Sequence, residues 1–208
     1  DITRLYLQHR MCTTEMGILV NPQVPLGNHG LKVADIACGT GIWLVDLAKH
    51  APKSVQLDGF NISTAHFPPK DELPTNVNLM QMDTTTAIPD RLVGRYDVVH
   101  SGRTTFYILN EDPSLHLRNF VALLSFWYGP GGYLFWDELD LGAVHPRASD
   151  PSISYDCADK MEAFGRAWLQ SQGVTTRWVG RMDAIFQEHG LQVLDFKRVP
   201  VSDGMARP

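Results

Sequence analysis

The chain has 208 residues, of which 44% are hydrophobic and 20% are charged, and its formal net charge is −5. This composition is typical of a globular domain with a sizeable core. The acidic balance argues against a nucleic-acid partner, because Lys and Arg are scattered along the chain and form no basic patch that could hold phosphates.

The first predicted element is a helix at Leu5–Val20, in which apolar residues recur on either side of polar Gln8 and His9. We expect residues 1–30 to form a helical lid over a ligand site, and residues 31–208 to form the main domain. The alternative for the first segment is a helix that only packs on the sheet.

Leu31–Ala37 is an apolar run broken only by Lys32 and Asp35, as in a parallel strand that is buried on both faces. Apolar runs and helical segments then alternate as far as Glu138. Strands are predicted at Ser54–Asn61, Val77–Met82, Tyr96–Ser101 and Gly132–Glu138, helices at Ile42–His50 and Leu115–Phe126, and a short helix or loop at Ser63–Glu72. This alternation predicts a Rossmann-like, doubly wound α/β fold with a mostly parallel sheet in a three-layer α/β/α arrangement.

Beyond residue 138 the pattern changes. Helices are predicted at Asp156–Gln170 and Trp178–Glu188, followed by a last strand at Leu191–Val201, where apolar and polar residues alternate. Folds of this kind normally carry a seventh, antiparallel strand between the fifth and the sixth, and the residues after Val201 have no strand character. We therefore expect the natural polypeptide to extend beyond Pro208 and to supply that strand.

The segment Val33–Trp43 carries the most informative motif, D-x-x-x-G-x-G, at Asp35, Gly39 and Gly41. Glycine suits a sharp strand-to-helix turn that a ligand approaches closely. Dinucleotide enzymes use G-x-G-x-x-G in such a turn, but the third position here is Leu44, and Asp35 would lie near a pyrophosphate of the same charge. A cofactor with a sulfonium and an ammonium group reverses this sign, because Asp35 attracts the ammonium while the N–H groups of the turn face the cofactor's carboxylate.

The ends of the next strands supply further candidates. Asn61 ends the second strand, where an acidic residue usually holds ribose hydroxyls, and its rival Asp58 points to the opposite face. Asp83 can accept a hydrogen bond from an adenine amino group while Met82 packs on the ring, or it caps a turn. The predicted cofactor site comprises Gln8, Asp35, Ala37, Cys38, Gly39, Gly41, Asn61, Ile62, Met82, Asp83, Thr84, His100 and Ser101.

From Leu5 to Glu138 the sequence resembles the S-adenosylmethionine-dependent methyltransferases of fungal secondary metabolism, a group that includes regulator-like members. The resemblance rests on ADIACGTGIWLVDLA, DGFNIS, YDVVHS and PGGYLFWDE, together with Gln8-His9 and Glu111-Asp112-Pro113. It implies a class I methyltransferase that binds S-adenosyl-L-methionine and modifies an O, N or S atom of a small-molecule metabolite. Where this family often has Arg two residues after the histidine of the fourth strand, the chain has Gly102.

Methyl transfer is an in-line displacement in which the protein mainly aligns the reactants and excludes water. A general base is needed only for an acceptor of high pKa, and the candidates are His100, Glu138 and His145. No histidine spacing indicates a metal site, so no metal is expected. Two other classes remain open: a non-catalytic, cofactor-binding regulatory protein, which Gly102 favours, and an NAD-dependent oxidoreductase.

Cys12, Cys38 and Cys157 form no disulfide framework, which indicates a reducing compartment. Asp1–Arg10 lacks the apolar core of a signal peptide, and the longest apolar run, Phe120–Tyr128, is too short to span a bilayer. We expect a cytoplasmic protein with a small-molecule substrate and no membrane partner. The sequence gives no indication of oligomeric state.

Overall fold

The structure, a computed structural model, describes residues 2–28, 30–109, 112–125, 131–143, 150, 152 and 154–200. Helices and strands alternate through the first two thirds of the chain, as predicted. The elements in chain order are α1 (Ile2–Met16), β1 (Lys32–Ile36), α2 (Ile42–His50), β2 (Gln56–Asn61), β3 (Val77–Gln81), β4 (Val98–Gly102), α3 (Ser114–Leu123), β5 (Tyr133–Asp137), α4 (Asp156–Ser171) and α5 (Met182–Glu188).

The five strands form one sheet in the order β3-β2-β1-β4-β5. β1 pairs in parallel with both β2 and β4, and Asp35 lies opposite Gly59 on one side and opposite His100 on the other. The strand order therefore reverses beside β1. Ligands of such sheets bind outside the carboxyl ends of the strands at this point, so the expected doubly wound fold also predicts where a site lies.

Apolar side chains fill both faces of the sheet. On one face, Trp43, Leu44 and Leu47 of α2 pack in a buried cluster with residues of β1, β2 and β4. On the other face, Phe120 of α3 meets Trp136 of β5 edge to face, with ring centroids 4.9 Å apart. Because neighbouring residues of a strand point to opposite faces, helices cover both sides of the sheet, which confirms the three-layer arrangement.

The predicted sixth strand is wrong for the residues that the structure describes. Leu191–Pro200 has no regular secondary structure, and Leu194, Phe196 and Val199 are exposed. Asn21 Nδ2 donates to Asp195 Oδ2 over 2.8 Å, which is a side-chain contact and not strand pairing. Alternating polarity alone does not form a strand, since a strand needs a neighbour that accepts its backbone hydrogen bonds.

Two further expectations change in detail. The predicted helix at Trp178–Glu188 begins as a short 3-10 turn at Arg177–Arg181, and its α-helical part is α5 alone. Met161, Phe164 and Trp168 do share one face of α4, but that face is exposed, and α4 has no buried residue.

The chain divides into two compact units. The first comprises the described residues of Asp1–Gly102, Arg118–Trp136 and Leu194–Pro208, and the second those of Arg103–Leu117 and Asp137–Val193. Within the described residues, none of the helices is both long enough and apolar enough to cross a membrane.

Gly132, just before β5, provides a test of how closely the strands approach. A Cβ placed on Gly132 lies 2.8 Å from Asp97 O and 3.2 Å from Tyr96 O. These backbone oxygens have little freedom to move, because Asp97 O also accepts the hydrogen bond from Tyr133 N. We expect Gly132→Ala to lower the free energy of unfolding by about 1–3 kcal/mol, measured by denaturant titration.

Gly27→Ala is the matched control, because a Cβ on Gly27 has nothing within 4 Å. It should change the free energy of unfolding by less than about 0.5 kcal/mol. Equal effects of the two substitutions would contradict the close approach at Gly132.

Candidate functional site

The turn between β1 and α2 adopts left-handed backbone conformations at three of five residues. Ala37, Gly39 and Gly41 have φ values of 57°, 58° and 73°. Glycine adopts this region freely, whereas alanine does so only where its surroundings enforce it. Two hydrogen bonds hold the turn, from Cys38 N to Phe60 O (3.0 Å) and from Gly41 N to Cys38 O (2.8 Å). The sequence motif thus forms a tight, strained turn at the strand ends.

Thr40, which lies between the two glycines of this turn, carries a buried hydroxyl group that has no partner among the described residues. The residue is 2% exposed, and Oγ1 has no hydrogen bond within the described part of the chain. An unpaired buried hydroxyl group destabilises the free protein, so such groups often indicate a ligand that completes them. Thr40 Oγ1, next to the N–H groups of the turn, suits the carboxylate of a bound ligand.

Asp35 and His100 form a buried pair directly below the turn. His100 Nδ1 lies 2.8 Å from Asp35 Oδ1, and the two residues are 1% and 2% exposed. The imidazole stacks on Trp43, with ring centroids 3.8 Å apart and planes 9° apart, and Phe135 lies 5.3 Å away on another side. The pair forms because Asp35 and His100 are register partners on adjacent parallel strands.

Asn61 lies where the sequence placed it, at the end of β2 beside the glycine turn. Its Oδ1 accepts a hydrogen bond from Gly39 N at 3.4 Å, and its Nδ2 donates to Ser63 O at 2.8 Å. The rival Asp58 is buried and accepts hydrogen bonds from Gln56 and Tyr96. Asp58 is therefore engaged inside the sheet, which favours Asn61 as the residue that faces a ligand.

Burial, together with the negative charge of Asp58, raises the pKa of Tyr96 well above its ordinary value. The phenol therefore stays protonated, and its hydroxyl group donates a hydrogen bond to Asp58 Oδ2 over 2.8 Å. This contact belongs to the packing of the sheet and not to the ligand site.

The loop after β3 is ordered by a residue that the sequence analysis missed. Asp83 Oδ1 accepts from both N and Oγ1 of Thr85, so the turn-capping alternative for Asp83 is realised in this structure. Asn119 Nδ2, from α3, donates to Thr84 O (2.7 Å) and Thr86 O (2.9 Å). No local sequence signal marks Asn119, because its role depends on how α3 packs against this loop.

The remaining predicted cofactor residues also lie near the strand ends. Ile62 is exposed, Met82 is half-buried and its N–H donates to Asn61 O, and Ser101 is buried with Oγ 3.4 Å from Ile36 O. Burial, together with nearby Asp35, raises the pKa of the Cys38 thiol well above its usual value. Cys38 is therefore a protonated packing residue.

The predicted N-terminal helix forms, but it begins at Ile2 and ends at Met16 instead of running from Leu5 to Val20, and Leu5 lies over the glycine turn. A Cβ placed on Gly39 would be 3.5 Å from Leu5 Cδ1. His9 is buried, and its Nε2 lies 2.7 Å from Asp46 Oδ2 on α2, whereas Gln8 is half-buried and accepts from Arg4. The role of α1 as a lid stays a prediction.

The contact with Asp46 explains how α1 is held. Burial of Asp46 acts to raise its pKa, but hydrogen bonds from Lys49 and His9 outweigh burial and hold the pKa below its usual value. Asp46 is therefore ionised at neutral pH and accepts the hydrogen bond that joins α1 to α2.

The structure describes two of the three candidate bases, His100 and Glu138, and both are engaged in internal contacts. His100 is enclosed by aromatic rings, which argues against proton exchange with an acceptor. Glu138 accepts hydrogen bonds from the N–H and hydroxyl groups of Thr104 and Thr105, so its carboxylate anchors that turn. His145 lies outside the described residues. Those residues also contain no group of three or more His, Cys, Asp or Glu that could hold a metal ion.

Comparisons with known proteins identify similar chains among the methyltransferases. The chain is 36% identical over 117 residues to grgD, a methyltransferase of a Penicillium species. The matched region covers 53% of the chain and 39% of grgD. The chain is also 32% identical over 143 residues to tcpN, an N-methyltransferase of Claviceps purpurea. The matched region covers 68% of the chain and 50% of tcpN. The predicted resemblance to fungal methyltransferases is confirmed. The chain spans half or less of the length of these two relatives.

No family model matches the chain. Among solved structures, an S-adenosylmethionine-dependent methyltransferase from Aquifex aeolicus superposes with a TM-score of 0.59 over 96% of the chain and 93% of that structure, at 15% identity. At this identity the likeness shows the fold alone, and that fold is the Rossmann-like fold expected from the sequence.

The unpaired hydroxyl group of Thr40 gives a test with opposite signs in the free and the bound protein. Thr40→Val removes an unsatisfied buried group, so the free protein should be as stable or more stable, by up to about 1 kcal/mol. If the hydroxyl group serves a ligand, the same substitution should weaken binding of S-adenosylhomocysteine about fivefold. Thermal unfolding and calorimetric titration measure the two effects. A loss of stability without any change in affinity would remove Thr40 from the site.

Proposed function

We propose that this chain binds S-adenosyl-L-methionine and transfers its methyl group to a nucleophilic atom of a small-molecule metabolite. The observation that carries the proposal is the buried carboxylate of Asp35 below a left-handed turn in which the Thr40 hydroxyl group has no partner among the described residues. An acid next to an unsatisfied hydroxyl group suits a ligand with both an ammonium and a carboxylate group. The names of the fungal relatives support the same chemistry.

Each residue then has a defined role. Asp35 holds the ammonium of the cofactor, and Thr40 with the N–H groups of the turn holds its carboxylate. Asn61 holds the ribose hydroxyls, while the apolar surfaces of Ile62 and Met82 lie against the adenine. When bound, S-adenosylmethionine supplies an electrophilic methyl group on its sulfonium, so these residues only need to fix its direction and exclude water.

Nitrogen is our proposed acceptor atom. Three relatives are named N-methyltransferases. A neutral amine needs no general base, and this fits the positions of His100 and Glu138, both of which are engaged in internal contacts. A small molecule is favoured over nucleic acid by the net charge of −5.

The nicotinamide alternative is disfavoured by Leu44. This residue stands at the third glycine position of the dinucleotide motif, is fully buried, and lies 2.9 Å from a Cβ placed on Gly59. The space that a dinucleotide enzyme leaves for close helix–strand packing is thus filled by a side chain. The regulatory alternative shares the cofactor site, so an assay of methyl transfer into metabolite extracts distinguishes it from an enzyme.

Calorimetric titration tests the cofactor directly. We expect S-adenosylhomocysteine to bind and NAD to show no binding, because Asp35 attracts an ammonium and repels a pyrophosphate. Asp35→Ala should weaken binding of S-adenosylhomocysteine by about 1–3 kcal/mol. Glu72→Ala, which removes an exposed acid, is the control and should leave affinity unchanged. Tighter binding of NAD than of S-adenosylhomocysteine would overturn the proposal.

The ribose contact is tested at Asn61. Asn61→Asp keeps an acceptor near Gly39 N and adds charge assistance toward a diol, so affinity for S-adenosylhomocysteine should stay equal or increase by up to about fivefold. Asn61→Leu removes both the acceptor and the donor of the amide and should weaken binding of S-adenosylhomocysteine about tenfold. If all three proteins bind equally, another residue holds the ribose.

A further inference from the structure

We propose that His100 is a positioning residue for the cofactor: its Nδ1–H holds the Asp35 carboxylate in place and leaves the negative charge available to the cofactor's ammonium. This inference rests on the proposed function. It assigns His100 a role different from that of a general base, for which its burial is unsuitable.

Asp35 accepts few hydrogen bonds for a buried carboxylate. Within the described part of the chain, the only hydrogen bond to its carboxylate comes from His100 Nδ1. A carboxylate with two oxygens can accept about four hydrogen bonds, and burying one with a single donor is unfavourable unless a cation completes it. Asp35 therefore has unused acceptor capacity next to the turn.

The imidazole of His100 is held in place by two aromatic rings. Trp43 stacks on one face of the ring, and Phe135 lies against another side. The indole is itself fixed, because Trp43 Nε1 donates to Leu19 O over 2.9 Å. The ring therefore cannot turn away from Asp35 without breaking the aromatic stack, and the direction of the carboxylate is fixed in the same way.

The charge of the side chain beside Asp35 affects how strongly Asp35 can attract the cofactor's ammonium. The imidazole orients Asp35 through one Nδ1–H hydrogen bond, whereas a fixed cation such as Lys or Arg would compete with the ammonium for the same carboxylate. Phenylalanine at position 100 would keep the stack with Trp43 but remove the donor. The carboxylate would then lose the hydrogen bond that fixes its direction.

The test compares two ligands that differ only at the amino-acid end. S-adenosylhomocysteine carries the ammonium and carboxylate, and 5′-methylthioadenosine has neither. We expect His100→Phe to weaken binding of S-adenosylhomocysteine by about 10- to 100-fold and to change binding of 5′-methylthioadenosine by less than about twofold. Equal losses for both ligands would show a general packing role and overturn the inference.

Two isosteric variants separate the donor from the shape. The amide nitrogen of His100→Asn replaces Nδ1, and that of His100→Gln replaces Nε2. Asn should retain most of the affinity for S-adenosylhomocysteine and Gln should lose it, and this comparison serves even if His100→Phe fails to fold. No difference between the two variants would overturn the inference.

A double-mutant cycle tests whether His100 acts through Asp35. If His100 acts through Asp35, then His100→Phe should cause no further loss of affinity in an Asp35→Asn protein. Additive losses would mean that His100 acts independently of Asp35. If the unmodified protein binds S-adenosylhomocysteine and only the His100 variants contradict expectation, the positioning role alone fails. If the unmodified protein binds neither ligand, the proposed function itself fails.

Discussion

The left-handed turn between β1 and α2 is the constraint on which the site depends. Alanine in this region costs about 1–2 kcal/mol, so Ala37 stays there only because neighbouring contacts enforce it. The contact from Cys38 N to Phe60 O ties the turn to β2. Gly59 makes this close approach possible, because a Cβ there would lie 2.6 Å from Leu79 Cδ2 and 2.9 Å from Cys38 Sγ. The packing of the sheet thus sets the backbone that a ligand meets.

Much of the fold could be predicted from the sequence because buried parallel strands appear as apolar runs, and each run from β1 to β5 does become a strand. The ends of the strands were predicted less accurately than the strands themselves. Tyr96 was predicted inside the fourth strand, but β4 begins at Val98, since the backbone of Tyr96 forms only an isolated bridge with Leu124. The sixth strand failed for a related reason, because alternating polarity at Leu191–Val201 does not show whether a neighbouring strand is present.

The candidate site was also predicted only in part. Local spacing identified Asp35 and the glycine turn, because the motif is contiguous in the chain. It could not identify the partner of Asp35, since His100 is 65 residues away and is brought there by the register of β1 with β4. Asn119 escaped notice because its two carbonyl partners are set by helix packing. Glu138 looked like a base in sequence, and only the structure shows its hydroxyl partners.

Two buried carboxylates in adjacent strands show how a structural acid differs from one reserved for a ligand. Asp58 is 3% exposed and accepts hydrogen bonds from Gln56, Asn78 and Tyr96, so its charge is well compensated within the sheet. Asp35 is equally buried, yet among the described residues it has one hydrogen-bond donor. A buried charge with so little compensation is retained only where something else completes it. Because Asp35 lies beside a turn whose Thr40 hydroxyl group has no partner among the described residues, a ligand that carries both an ammonium and a carboxylate group would satisfy the acid and the hydroxyl group together.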